Sequence, residues 1–279
     1  MSQTTTLSVR SETAPKRAAN VVVLAIALMV LAAVAPLANG EIIALENGNS
    51  SSIVETDTSM GLWSWMVDDV EHVSQYWTWY SLGDAVRLPV DTLTQGAVIH
   101  GDDWVQATYT YDDLFSVTMK FQFAGGAAAS GQASFTHQIA VSNLNHTPLA
   151  LSFFQFADFD VDEEWDANTQ WVDGGSLHQG GSISEAVLSS TLAPNSYTIG
   201  EPLALMDVID YSTQASLDNL AGPAVGDVAG LLQWDILLGM HGTKQWTLTG
   251  QLHQVPEPAT AALLALGAVG VLRRRIVRR

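Results

Sequence analysis

Two neighbouring stretches of this 279-residue chain alternate apolar and polar side chains with a period of two. Val117, Met119, Phe121 and Phe123 alternate with Ser116, Thr118, Lys120 and Gln122, and Phe135, His137, Ile139 and Val141 alternate with Ser134, Thr136, Gln138 and Ala140. Successive side chains of a strand point to opposite faces, so each stretch reads as a strand with one buried and one solvated face. The small, Gly-rich link at 124–131 turns one back onto the other and predicts a long antiparallel hairpin. Leu232, Trp234, Ile236 and Leu238, followed across 239–244 by Trp246, Leu248 and Leu252, predict a second amphipathic hairpin. Residues 104–111 and 149–159 add further strands, and Gly, Pro, Asn and Asp clusters punctuate the chain. Helical periodicity between residues 41 and 254 is limited to short turns around 207–220. The expected fold class is all-β, an antiparallel β-sandwich of jelly-roll-like form.

The two ends are of another kind. Arg10, Lys16 and Arg17 precede an apolar run at 21–35, and Ala38, Asn39 and Gly40 supply small residues for cleavage before Glu41. That order is a signal peptide, residues 1–40, with an N-terminal signal helix as its apolar part and signal peptidase as its partner. At the other end, Pro256, Glu257 and Pro258 are followed by an apolar run at 259–272 and by Arg273, Arg274, Arg275, Arg278 and Arg279. The prolines keep a short hinge extended, and the arginines hold the far end of a hydrophobic helix on the cytoplasmic side of a membrane. At about 1.5 Å per residue that run spans roughly 21 Å against a hydrocarbon core of about 30 Å, which suits a temporary anchor better than a permanent one. Residues 255–279 resemble the PEP-CTERM sorting signal of exported bacterial proteins. The resemblance implies an exosortase-type transpeptidase as partner, with processing near Pro256, Glu257 and Pro258.

The expected exported domain is residues 41–254. Of the 29 acidic residues only Glu12 and Glu257 lie outside it, and of the basic residues only Arg87, Lys120 and Lys244 lie inside, so it carries a formal charge of −24. Such a surface repels nucleic acid and anionic lipid. It suits solubility in an extracellular medium and, as the sharper alternative, divalent cations. The chain has no cysteine, so thiol redox chemistry and thiolate-bound zinc are excluded. The segments at 75–83, 153–161, 171–175 and 226–239 together resemble a functionally uncharacterised ectodomain found ahead of PEP-CTERM tails. That resemblance implies a β-sandwich and no activity.

Three constellations bear on chemistry. Asp158, Asp160 and Asp162 lie at alternate positions of a strand end, and hard oxygen ligands in that arrangement suit calcium, with Asp102 and Asp103 or Asp112 and Asp113 as partners from another loop. The series is not an EF-hand, because Glu163 stands where that loop needs Gly and Thr169 where it needs Glu. A solvated acidic junction is the plainer alternative. Trp77 and Trp79 share a face in a strand and suit a platform for stacking sugar rings, or else a packed core. A carboxyl pair such as Asp160 and Glu163 is the minimum for a secreted hydrolase. The seven histidines, however, show no paired metal-binding spacing, and neither a nucleophile elbow nor a phosphate loop occurs. The sequence therefore reads as an exported envelope or matrix protein with a structural or adhesive role toward surface polysaccharide. It reads as no enzyme, without cofactor unless calcium. Carbohydrate or calcium binding is the first alternative and a hydrolase the second.

Overall fold

The computed structural model of the protein describes residues 42–83, 85–210 and 217–255. The expected signal peptide and its helix, the hydrophobic C-terminal helix, Pro256, Glu257, Pro258 and the arginine block lie outside the described residues. In chain order the strands are β1 (Ile42–Asn47), β2 (Ser50–Glu55), β3 (Leu62–Val67), β4 (Val70–Glu71), β5 (Gln75–Leu82), β6 (Leu88–Pro89), β7 (Thr94–Gln95), β8 (Ile99–His100), β9 (Trp104–Tyr111) and β10 (Phe115–Gly125). They continue as β11 (Ala133–Asn143), β12 (Leu149–Asp158), β13 (Asn168–Asp173), β14 (Ser176–Gly180), β15 (Ser184–Ser190) and β16 (Ser196–Gly200). After the helix α1 (Pro202–Ile209) come β17 (Ala224–Gly226), β18 (Ala229–Leu238) and β19 (Thr243–Gln254).

These strands form two antiparallel sheets. The first runs β1-β2-β3-β5-β12-β18-β16, with β4 beside β3 and β6 beside β5. The second runs β17-β13-β14-β15-β19-β11-β10-β9-β7, with β8 beside β9. Runs such as β1-β2-β3, β13-β14-β15 and β9-β10-β11 are meanders, while pairs such as β5-β12, β12-β18 and β11-β19 bring together strands far apart in the chain. The sheets share one core: Tyr76 of the first meets Phe121 and Phe135 of the second at 6.0 and 5.2 Å, Tyr80 meets Phe115 at 5.6 Å, and Phe153 meets Trp246 at 5.5 Å. Edge-to-face rings at such separations add to the burial of apolar area.

The first predicted hairpin is present, with Phe123 opposite Phe135 and Val117 opposite Val141. Its loop is tied down by Asp68, whose carboxylate accepts from the amides of Ala129 and Gly131 at 2.5 and 2.8 Å. The second predicted hairpin is a correction. β18 pairs with β12 and β16 in the first sheet, while β19 pairs with β11 and β15 in the second. The turn between them is a corner joining the sheets, held by the Asn143 side-chain amide on the Gly239 carbonyl. Alternation identifies the buried face of each strand; Trp234 and Trp246 do share a core, 5.9 Å apart, but from opposite sheets.

β5 is buried on both faces, from Tyr76 through Ser81. Part of its second cover is the segment after it, which pairs with β5 through β6; α1 lies against β16 and β18 and begins slightly before the predicted turns, with Pro202 in its first turn, where a missing N–H costs nothing. The Arg87 guanidinium lies 4.3 Å from the Phe154 ring centroid and donates to the Val208 carbonyl, clamping helix and segment onto the sheet. Among the described residues no helix is long and apolar enough to cross a membrane.

Candidate functional site

The acidic series opens where β12 leaves the first sheet. Phe159 turns inward, 6.5 Å from Tyr76; Asp158 is the last residue of the strand, and Asp160 lies just beyond it, at φ −93° and ψ 66°. Asp158 is only 8% exposed, and its Oδ1 has no hydrogen-bond partner. Burial first, then the charges of Asp160 and Asp227, push its carboxyl up to about 8. Asp160 is pushed up to about 6 by burial and by Asp227, against a hydrogen bond from Ser74. Asp227, from the turn between β17 and β18, is raised by burial and then by Glu201. Strand pairing explains the meeting: Ala157 lies opposite Gly230, which brings the start of β18 beside the end of β12. The cluster grades from buried Asp158 through half-buried Asp160 to exposed Asp227.

Asp162 has a different job. Its Oδ2 accepts from the amides of Ile183 and Ser184, both at 2.8 Å, and its own N–H donates to His72 Nδ1 at 3.2 Å. The last bond makes Nδ1 an acceptor, so the neutral imidazole carries its proton on Nε2. Burial holds His72 below its ordinary pKa despite Asp162, Glu71 and Glu163 nearby. His72, Asp68, Asp162, Ile183 and Ser184 line a cleft of about 220 Å³. Asp162 and Glu163 both have left-handed backbones, φ 64° and 60°, a conformation that costs roughly 1–2 kcal/mol per residue without glycine. The side-chain bonds of Asp162 hold this turn in place.

The turn also depends on Gly181. A Cβ there would stand 2.6 Å from Asp162 Oδ2 and 2.7 Å from the Val161 carbonyl oxygen, and the second atom is backbone that cannot swing aside. Gly181→Ala is expected to lose about 1–3 kcal/mol in urea denaturation. Gly180→Ala, whose Cβ would meet the Trp171 ring at an ordinary 3.8 Å, is the control and should lose less.

The structure thus redistributes the residues expected from sequence. Asp158 and Asp160 stay together and gain Asp227. Asp162 is a tie for the loop, and among the described residues no group of three or more His, Cys, Asp or Glu that could hold a metal ion is present. Asp103 instead accepts from the side chain of Asn47. Glu163 is exposed, with Oε1 at 3.5 Å from the Glu71 amide. Trp77 and Trp79, expected as a sugar platform, are each 0% exposed, and Trp77 Nε1 donates to Asp91 at 2.8 Å. The rings that do reach solvent are others: Trp165 is 62% exposed in the loop carrying the acids, and half-buried Trp171 stacks on His178 with centroids 5.1 Å apart. An isolated Trp between acids, and a Trp directly before a turn, were the sequence signals available for them.

Residues 254–279 match the family model described as the PEP-CTERM protein-sorting motif. The chain carries a PEP-CTERM tail. The tail implies an exported protein, anchored in the membrane before an exosortase processes it. No curated protein matches the chain in sequence. In fold, the PEP-CTERM protein is similar to a bacterial glucoamylase complexed with acarbose, with TM-score 0.55 and 11% identity over 84% of this chain and 36% of that one. It therefore spans about a third of the glucoamylase. It is also similar to a protein from Escherichia coli K12 ascribed to aldose 1-epimerase, with TM-score 0.50 and 9% identity over 78% of this chain and 100% of that one. The Slr1438 protein of Synechocystis sp. PCC 6803 gives TM-score 0.55 and 7% identity over 78% and 97%. These likenesses correct the expectation that the protein is no enzyme. The arrangement of sheets is one on which enzymes are built, so the missing motifs exclude no activity.

Proposed function

We propose that the exported domain acts on carbohydrate at the cell envelope, with Asp158 and Asp160 as its acid–base pair. The observation that carries this reading is the pair itself: two carboxyls at one strand end, one held at about 8 and the other at about 6, on a fold shared with a glucoamylase. Carboxyls whose environments separate their pKa values can divide the roles of acid and base at neutral pH. Asp158 keeps its proton and can give it to a hemiacetal or glycosidic oxygen. Asp160 is ionised and can take one. Exposed Trp165, in the same loop, offers a flat apolar face for a sugar ring. Surface polysaccharide is the carbohydrate an exported protein meets first, and adhesion to it belongs to the same reading.

The test follows anomerically pure aldoses by polarimetry and α-glucan oligosaccharides by release of reducing ends. One of the two reactions is expected to accelerate, with a bell-shaped pH profile between limbs near 6 and 8. Asp160→Asn is expected to slow it about 10²-fold or more, the usual contribution of a positioned proton-transfer group. Neither reaction accelerating, together with no line broadening of any of these sugars in NMR titrations, would sink the proposal.

A further inference from the structure

The second sheet turns its other side to solvent, and that side differs from the rest of the molecule. On a chain of formal net charge −18, the outward positions of β9, β10, β11 and β19 are Ser, Thr, Gln, Ala, Trp and His with a single charged residue, Lys120. Even that ammonium is partnered, 4.9 Å from the centroid of the Trp104 ring. Hydroxyls and amides stand opposite one another across the strands. Thr108 and Thr118 are 3.0 Å apart at their hydroxyls, and Thr136 faces Thr249 in the middle of the sheet. At the far side the Trp171 ring is braced by His178, whose Nδ1 lies 2.7 Å from Glu185, and Glu185 in turn lies 3.4 Å from His253 Nε2. Four adjacent strands thereby fix the orientation of one half-buried aromatic ring.

We propose that this face, from Trp104 to Trp171, binds a neutral polysaccharide laid across the strands. The chemistry of the face selects the occupant. A polyanion would meet the negative field of the whole chain with one lysine to oppose it. A polycation would find carboxylates only at the Trp171 end, Asp173 and Glu185, and none on the four central strands. A protein partner would look for an apolar centre, and the centre here is Thr and Gln. Each Ser, Thr or Gln side chain both donates and accepts, which is what the hydroxyls of an uncharged sugar require. Strands about 4.8 Å apart repeat that supply at regular steps along a chain lying across them. Trp171, already ordered, provides a stacking surface at low entropic cost. The face is separate from the strand-end carboxyls and does not depend on them for binding.

The experiment mixes the full chain, purified in detergent, with insoluble cellulose, starch granules or chitin as neutral polymers and with calcium-free cross-linked alginate as the polyanion. At least one neutral polymer should deplete the protein from solution, and alginate should not. Trp171→Ala, and separately the pair Thr136→Glu and Thr249→Glu, should each weaken that depletion at least tenfold. Wild-type melting temperatures in the threonine variants, whose changed side chains point to solvent, exclude loss of folding as the cause. Asp158→Asn should bind as wild type does. Depletion by none of the three neutral polymers, or depletion that both sets of variants retain, would overturn the proposal. Depletion abolished by Asp158→Asn alone would do so too, by placing the contact at the strand end.

Discussion

Replacing Trp77 by alanine should remove about 3–5 kcal/mol of unfolding free energy, the usual cost of deleting a fully buried large ring. Trp77 is 0% exposed, stacks on Phe121 at 6.5 Å and meets Tyr109 edge-on at 6.3 Å. It also presses on backbone: a Cβ placed on Gly61 would stand 2.2 Å from its Cε3. Main chain bounds part of the space the ring would leave, which limits collapse and keeps part of the cavity term. The loss is compounded at Asp91. Burial already raises that carboxyl, and the Trp77 N–H opposes the rise together with a backbone hydrogen bond, so the truncated protein leaves a half-buried carboxylate with one donor fewer. Against a total stability of about 5–15 kcal/mol for a domain, a fifth or more would go. Denaturant midpoints with unchanged slope measure it. A surface platform residue would change stability by no more than about 0.5 kcal/mol, and that result would return Trp77 to the role its sequence suggested.

The contrast shows which properties are local in the sequence. The β10–β11 hairpin was legible because alternation, a Gly-rich turn and pairing all lie within one short stretch. The tail was legible for the same reason: prolines, apolar run and arginines act in their linear order. The partnership of β18 was not, since Leu232 and Trp234 record a buried face without recording whose. Trp77 and Trp79 failed similarly. A period of two assigns them to one side of β5, but Trp77 is covered by Phe121 and Tyr109 of the second sheet, and Arg87 clamps Val208 over Phe154, the residue opposite Trp79. Of the acidic series, Asp158 and Asp160 followed from alternation. Asp227 joins them through a pairing of strands far apart in the chain, and Asp162 leaves them through a left-handed turn that the Asp-rich run does not announce.

Between about pH 6.5 and 8 the folded protein should lose stability as pH rises, and Asp158→Asn should abolish most of that loss. The folded carboxyl of Asp158 stands at about 8, well above the roughly 3.9 of an unfolded chain. The native state therefore holds a proton that the unfolded state has released, and the stability this confers is present below about pH 4 and lost as pH rises through 8. His137 has the opposite sign. Fully buried, stacked on Phe121 at 4.1 Å, it is depressed to about 3 from 6.5, so its contribution falls as pH drops below 6.5. Between about 4 and 6.5 His137 and His72 work against Asp158 and Asp160, and the net slope is shallow. From 6.5 upward the histidines of the unfolded chain shed the protons they still share and Asp158 increasingly dominates, with a slope below 1.4 kcal/mol per pH unit and a net loss of about 1 kcal/mol across the window. Thermal denaturation of both proteins at pH 6.5, 7.2 and 8 reads it directly. A wild-type curve that is flat or rises there would mean that Asp158 is ionised in the folded protein. It would then have no proton to give a sugar at neutral pH, so the same three melting curves bear on the fold and on the proposed acid together.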